Sequence, residues 1–448
     1  MVKLLLVRPK AIQNESATGF LLRLVEANGF TSVHDLNLLA SGGAGGDGLA
    51  RVSSMLDGMS MKGLRGAITG FPHLKADDTG GLEHQFWNGR RPRCCGACLA
   101  NKPYWRAAWD VTLVTACPIH RAGLLESCCN CHRPLSWKRS HIATCDCGAS
   151  LTGMPMVLAS AGCIAISSYI SSMLEAAYSA SKPFTLAPPF DHLGTHDLLT
   201  LCIFLGGYAK NDTKKPTKIA DLHEIAVASA ISQAAGEALI NWPRGYHDLL
   251  GSLISKACSE AHSARLTKRF GYFYTALYKR FGDKQFDFLR REFESYIRDE
   301  WPGQLADRNR RLPKSTRIGH KWVPLTAAAK QLGVKRSVVC SFIERGMLCG
   351  QLHATTAGRI SGTVRRDTLE VLCAEKARWL TLAETREALR LSRKGAYALL
   401  ESGKLRPVSG PTVDGRTVWR FSASDIAALD LEISGRSADS QDRAPVAQ

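Results

Sequence analysis

Nine of the fifteen cysteines (Cys94, Cys95, Cys98, Cys117, Cys128, Cys129, Cys131, Cys145 and Cys147) fall within one short stretch. Zinc needs four soft or borderline ligands at tetrahedral positions, and a Cys-x-x-Cys turn supplies two of them from one knuckle. Cys95-x-x-Cys98 and Cys117-x-x-His120 are two such knuckles, separated by 18 residues, and together make a site of three cysteines and one histidine. Cys128-x-x-Cys131 and Cys145-x-Cys147 make a second, all-cysteine site, with Gly148 allowing a tight turn. Sequential pairing closes the shorter loops, although an interleaved pairing uses the same ligands. Cys94 and Cys129 could replace their neighbours by a one-residue register change, and His132 and His141 are further substitutes.

The expected cofactor is therefore two structural Zn2+ ions. A dense thiol cluster without a secretory leader favours metal over disulfides, and an iron–sulfur cluster rarely takes this spacing. Catalytic zinc keeps an open coordination position beside an acid or base. Here both sites have four full ligands, and the acids within the block are Asp110, Glu126 and Asp146. Tyr104, Trp105, Trp109 and Trp137 are expected to cover the knuckles as a small core. The other six cysteines stand singly in apolar sequence and read as buried hydrophobes.

The elements that position this block are mainly helical. Asn14-Glu15-Ser16 offers caps, Leu21, Leu22, Leu24 and Val25 an apolar face, and Asn28-Gly29 a stop. From about 157 to 300 apolar residues recur at spacings of three and four, as in Leu198–Gly206, Glu224–Ile240 and Phe273–Ile297, with a break at Trp242-Pro243. The glycine-rich run Ser41–Gly48 lacks the Lys-Ser/Thr of a phosphate-cradling loop, which argues against nucleotide binding. Asp77, Asp78 and Glu83 form an acidic group in a loop-like setting, too little for a nuclease or transposase centre.

Of the 448 residues 45% are hydrophobic and 22% charged, a globular mix. No run of about 18 apolar residues predicts a membrane span, and the start of the chain does not read as a signal peptide; the expected location is cytoplasmic. The net charge of +18, from 58 basic and 40 acidic residues, favours a polyanionic partner.

Beyond residue 321 the chain repeats itself. A shift of 57 residues places Leu325 on Leu382, Leu332 on Leu389, Val334 on Leu391, Ile343 on Leu400, Gly346 on Gly403, Leu348 on Leu405, Gly358-Arg359 on Gly415-Arg416, and Leu369 on Ile426. Each copy reads helix, turn, helix and wing. In the second, Thr381-x-x-Glu384 is a capping box, Ser392 caps the next helix, Gly415–Phe421 reads as a strand and Ser424-Asp425-Ile426 opens a closing helix. In the first, Pro324 and Lys335 stand at the cap positions, a poorer match.

The repeats resemble winged helix-turn-helix modules of the excisionase and MerR type. In that geometry the second helix enters the major groove and the wing meets the backbone. The candidate DNA contacts are Arg393, Lys394 and Tyr397 of the second copy and Lys335, Arg336 and Ser337 of the first, with Arg416, Arg420 and Arg359 from the wings. Residues 301–448 hold 25 basic and 14 acidic side chains, a net of +11, as phosphate binding requires. A protein-binding module with a solvated basic face is the plainer alternative.

The metal block also carries a resemblance. The order Cys95–Leu99, Tyr104–Trp109, Cys117–His120, Leu124–Cys128 and Cys145–Gly148 is similar to the zinc-finger region of the TniQ family. The opening Glu15-Ser16, Leu21–Leu24 and Asn28-Gly29 and the Trp242-Pro243 break are similar as well, while Gly96 stands where that family has proline. The resemblance implies a non-catalytic role in transposition. Such a protein binds target DNA, or a CRISPR guide-RNA complex already on DNA, and recruits an AAA+ ATPase regulator of the TniB/TnsC kind. A zinc-containing transcriptional regulator is the alternative, and dimerisation is left open.

The expected organisation is a mainly α protein around a zinc-ribbon-like double site. It comprises an N-terminal helical part (1–92), the zinc region (93–152), a helical domain (153–306), a basic linker (307–321), two helix-turn-helix modules (322–375 and 376–432) and a disordered tail (433–448).

Overall fold

The computed structural model describes residues 5–33, 35, 86–89, 91–174, 190, 192–210, 219–256, 266–305, 309–354, 358, 360–413 and 415–431. Ser41–Gly48, Asp77, Asp78, Glu83, Arg359 and the tail 433–448 lie outside them. The chain divides into two compact units: residues 1–256, 271–276 and 281–288, and residues 257–270, 277–280 and 289–448.

The first unit begins with helix α1, Ala17–Ala27. Ser16 caps it by accepting from the Gly19 amide, and Gly29, at φ 68°, releases the chain in the left-handed region. The helix buries Phe20, Leu21, Leu22, Leu24 and Val25. Gly19 is required for close approach: a Cβ there would stand 2.3 Å from the Cβ of Trp105. The backbone before the helix pairs with the aromatic segment, the Ser16 amide donating to the Trp105 carbonyl (2.8 Å) and the Ala107 amide to that of Asn14 (3.0 Å). Sequence remote from the metal block thus shares its core.

Behind the block stand α3 (Ala161–Leu174), α4 (Thr195–Lys210), α5 (Ile225–Ile240) and α6 (Arg244–Lys256); α2 (Gly96–Asn101) lies within the block. Helices α3 and α5 cross backbone against backbone, and a Cβ on Gly236 would meet the Gly162 Cα at 2.4 Å. The break between α5 and α6 falls at 241–243, where the Trp242-Pro243 pair directed it.

The span Phe273–Ile297 is not one helix. Helix α7 is the short Leu266–Arg269, α8 runs from Gly271 to Arg280, a 3-10 turn occupies Lys284–Phe286, and α9 runs from Asp287 to Asp299. Asp283 is extended (φ −68°, ψ 157°), and the interruption stacks buried Phe281 edge-on against buried Phe286 at 4.8 Å. Local spacing looks continuous through such a break because apolar residues flank it on both sides.

In the second unit the basic stretch is packed rather than open over its described residues, 309–321. It carries helix α10, Lys314–Ile318, and buries Leu312, Thr316 and His320. The first module follows: β3 (Trp322–Pro324), α11 (Leu325–Leu332), α12 (Arg336–Glu344), β4 (Gly350–Ala354), β5 (Ile360–Arg365) and α13 (Arg366–Lys376). Its sheet has the order β3-β5-β4 with both pairings antiparallel. The second module comprises β6 (Leu380–Thr381), α14 (Leu382–Ala388), α15 (Arg393–Glu401), β7 (Arg420–Phe421) and a closing helix α16 over 423–431.

The helices obey the offset of 57: α12 starts at Arg336 and ends at Glu344, α15 at Arg393 and Glu401. Turn geometry obeys it too, with positive φ at Gly333 and Arg390, Gly346 and Gly403, and Gly358 and Gly415. Thr381 and Ser392 cap as expected, whereas Pro324 and Lys335 make no side-chain cap. The wings depart from expectation. Of Gly415–Phe421 only Arg420 and Phe421 form strand, and the copy with poorer caps owns the longer hairpin.

Candidate metal centres and DNA-facing helices

Cys95 is the N-cap of α2, so Cys98 lies one turn further along and both thiols face the same point. The partner knuckle is a hairpin of β1 (Ala116–Cys117) and β2 (Ala122–Gly123), with Cys117 opposite Ala122. Cys117 and His120 flank its tip. The second centre is built from two turns closed by backbone bonds, His132 N to Cys128 O (2.9 Å) and Gly148 N to Cys145 O (2.9 Å).

The eight side chains fall into two groups, Cys95, Cys98, Cys117 and His120, and Cys128, Cys131, Cys145 and Cys147, with the candidate ligand atoms of each group within 4.8 Å of one another. A tetrahedral zinc requires two sulfurs to stand about 3.8 Å apart and sulfur and nitrogen about 3.5–3.6 Å apart. The first group has Cys98 Sγ to Cys117 Sγ at 3.6 Å and His120 Nδ1 at 3.4, 3.3 and 3.5 Å from Cys95, Cys98 and Cys117. In the second, Cys128 to Cys147 is 3.7 Å and Cys131 to Cys145 is 3.8 Å. These separations suit a shared metal and far exceed the roughly 2.05 Å of a disulfide.

Close thiols oppose one another's ionisation. The Cys117 thiol is held up to about 11, first through its hydrogen bond with Cys95. A divalent cation is the partner that allows all of them to ionise together.

After three of the four knuckles the last ligand is followed by a left-handed residue: Arg121 (φ 53°) after His120, His132 (φ 57°) after Cys131, and Gly148 (φ 83°) after Cys147. An L side chain in that region costs about 1–2 kcal/mol. Arg121 and His132 thus hold strain where the turns must close. Only Gly148 was legible as such in the sequence.

The register ambiguities resolve in three dimensions. Cys94 is fully buried, and its amide and carbonyl both pair with Leu125 (3.0 and 2.7 Å), which turns its side chain into the core. Cys129 is exposed. His141 pairs instead with Glu26 of α1 (Nδ1 to Oε1, 3.1 Å), whose other oxygen accepts from the Ile142 amide at 3.1 Å.

The aromatic residues form the expected cover. Trp105 meets Trp109 and Trp137 edge-on at 5.7 and 5.1 Å, and the Arg139 guanidinium lies 4.7 Å over Trp105. A buried ionic network, missed in the sequence, ties this layer to the helices. Arg93 donates to the carbonyls of Thr112 (2.7 Å) and His223 (2.6 Å) and lies 3.8 Å from Glu126, which accepts from the Ile225 amide at 2.8 Å. Burial lowers the Arg93 guanidinium to about 10, with Glu126 opposing that shift. Burial raises the Asp110 carboxyl to about 7, against the hydrogen bond from the Ser16 hydroxyl and the charge of Arg93. The available sequence signal was charged residues inside an aromatic, ligand-rich stretch.

In the second unit Arg393, Lys394 and Tyr397 are exposed on the first turns of α15. Lys335 and Ser337 are exposed at the corresponding start of α12, and Arg336 is half-buried there. Arg420 is exposed on β7 and reaches the Trp379 carbonyl at 3.5 Å. Arg416 donates to the carbonyl of Gly333 in the first module.

Comparison with known proteins supplies the last observation. The family model described as TniQ matches residues 6–124, and the one described as a helix-turn-helix domain matches residues 379–429. No curated protein matches the chain. The TniQ match therefore spans α1 and the first ligand group, and the helix-turn-helix match spans the second module. Among the described residues, no helix is long and apolar enough to cross a membrane.

Proposed function

We propose that this protein is a non-catalytic transposition accessory factor, which selects the insertion site by holding target DNA through its C-terminal modules and recruiting an AAA+ ATPase regulator through its zinc-stapled N-terminal unit. The carrying observation is that residues 6–124, matched by the TniQ model, share one core with two ligand groups of zinc dimensions. The bound metal is Zn2+ at both centres, held by Cys95, Cys98, Cys117 and His120 and by Cys128, Cys131, Cys145 and Cys147. Its role is structural, since four protein ligands leave no position for a substrate.

Under this reading Arg393, Lys394 and Tyr397 approach base edges from α15, Lys335 and Arg336 do so from α12, and Arg420 meets phosphate. A guide-RNA complex is the alternative bearer of the target site. The domain division proposed is 1–92, 93–152, 153–306, 307–321, 322–375, 376–432 and 433–448.

Deletion of the protein tests this reading against that of a transcriptional regulator. Loss of insertion-site choice with unchanged transcript levels supports the accessory role. Altered transcripts with unchanged insertion support the regulator. Metal-dependent strand cleavage by the purified protein contradicts a non-catalytic role.

A further inference from the structure

The second wing does not behave as a free wing. Its Arg416 guanidinium is spent on the Gly333 carbonyl, at the turn between the two helices of the first module. Beside it a Cβ on Gly415 would stand 3.3 Å from Nζ of Lys335, the residue that opens α12. Val413 of the same loop packs, with Val408, against the first module's core of Leu332, Val338 and Phe342. A second contact is ionic, Arg345 to Asp425 at 3.5 Å.

We infer that Arg416 is a positioning residue that fastens the two helix-turn-helix modules into one DNA-reading body, and not a phosphate contact. The inference rests on the proposed DNA role for its consequence, although the clamp itself does not. Three features support it. The acceptor is a main-chain carbonyl in a left-handed turn (Gly333, φ 59°), which leaves that oxygen outside the helical ladder and available to a donor. The wing loop contributes apolar side chains to its neighbour's core, which a wing spread on a phosphate backbone does not. The strand of this wing is also short, Arg420 and Phe421, and its loop folds back on Ser409 and Gly410 (Arg420 N to Ser409 O, 2.9 Å; Gly415 N to Gly410 O, 3.1 Å), which leaves the Arg416 side chain directed at the first module.

The consequence is a division of labour between equivalent parts. The first module keeps the longer hairpin, β4 with β5, while the second uses its wing to hold the α11–α12 turn. Lys335 and Arg336 are then presented by a turn braced from outside, which compensates for the absent side-chain cap at Lys335. A site read by such a body has its two parts at fixed spacing.

The test uses the full-length protein and its Arg416→Gln variant, with a fluorescein-labelled random-sequence duplex of about 30 base pairs. Amide exchange is followed over residues 333–337, and affinity is followed across a salt series. A clamp predicts exchange over 333–337 faster by about tenfold or more in the variant, with the slope of log affinity against log salt unchanged. A phosphate contact predicts unchanged exchange and a slope smaller by about one, and that result overturns the inference. Should the unmodified protein fail to bind the duplex at all, the DNA reading falls, and the exchange measurement alone still decides whether Arg416 clamps.

Discussion

Gly333 and Arg390 occupy the same turn in two copies of one module, 57 residues apart, and both hold left-handed backbone, φ 59° and 53°. The first copy fills this position with the residue suited to it and the second does not. The fold of the repeat therefore imposes the conformation, since neither local sequence does so alone.

Substitution Arg390→Gly removes the steric penalty of an L side chain while adding chain entropy to the unfolded state. The balance is expected to stabilise the protein by up to about 1 kcal/mol. The converse change, Gly333→Ala, is expected to destabilise it by about 1–2 kcal/mol. Urea midpoints of the two variants check both signs.

The Gly162–Gly236 crossing leaves no room for a side chain. Gly236→Val forces α3 and α5 apart at their backbones and is expected to lose about 1–3 kcal/mol. The measurement is a lowered urea midpoint with an unchanged denaturant slope.

Much of this architecture was legible in the sequence, for identifiable reasons. Metal ligands come in adjacent pairs because one turn must aim two of them at one ion, so Cys95 with Cys98 and Cys128 with Cys131 announce themselves. The helix-turn-helix repeat was legible because Thr381, Ser392, Gly346 and Gly403 mark ends that local hydrogen bonding and φ decide. What remained hidden depends on partners distant in sequence. Leu125 turns Cys94 inward and leaves Cys95 beside Cys98, Cys117 and His120, Glu26 takes His141, and Gly333 takes Arg416. The break at Gly282-Asp283 was obscured because helical apolar spacing runs up to it and resumes beyond it, while Phe281 and Phe286 pack on each other across the turn.

Asp110 gives the first unit a pH dependence of definite sign. Its folded value is raised to about 7 from the ordinary 3.8. Between those values the unfolded chain has released the proton and the folded chain has kept it. Stability from this group is therefore fully present below about pH 4 and declines as pH rises towards 7. Asp110→Asn is expected to flatten that decline relative to the parent protein. Urea midpoints of the metal-loaded proteins between pH 5 and 8 check it, and parallel profiles contradict the assignment.

On DNA, Arg393→Ala and Lys394→Ala are each expected to weaken binding and relax sequence preference, as base-edge contacts do, whereas Arg420→Ala is expected to lower the salt slope by about one. Tyr397→Ala is expected to change sequence preference with the slope retained, because the phenol carries no charge. Ser392→Ala, which deletes the cap of α15, is expected to cost about 1 kcal/mol of stability. Fluorescence anisotropy over a salt series and a melting curve separate these effects.

Metal content tests the stapling of the N-terminal unit most directly. Full-length protein purified under reductant and freed of loose ions by gel filtration should retain two zinc ions per chain by elemental analysis. Cys117→Ser and Cys145→Ser should each lower that number by one, since they strike different centres. A folded chain that retains no zinc, or in which either substitution leaves the count at two, contradicts the claim that these eight side chains staple the N-terminal unit.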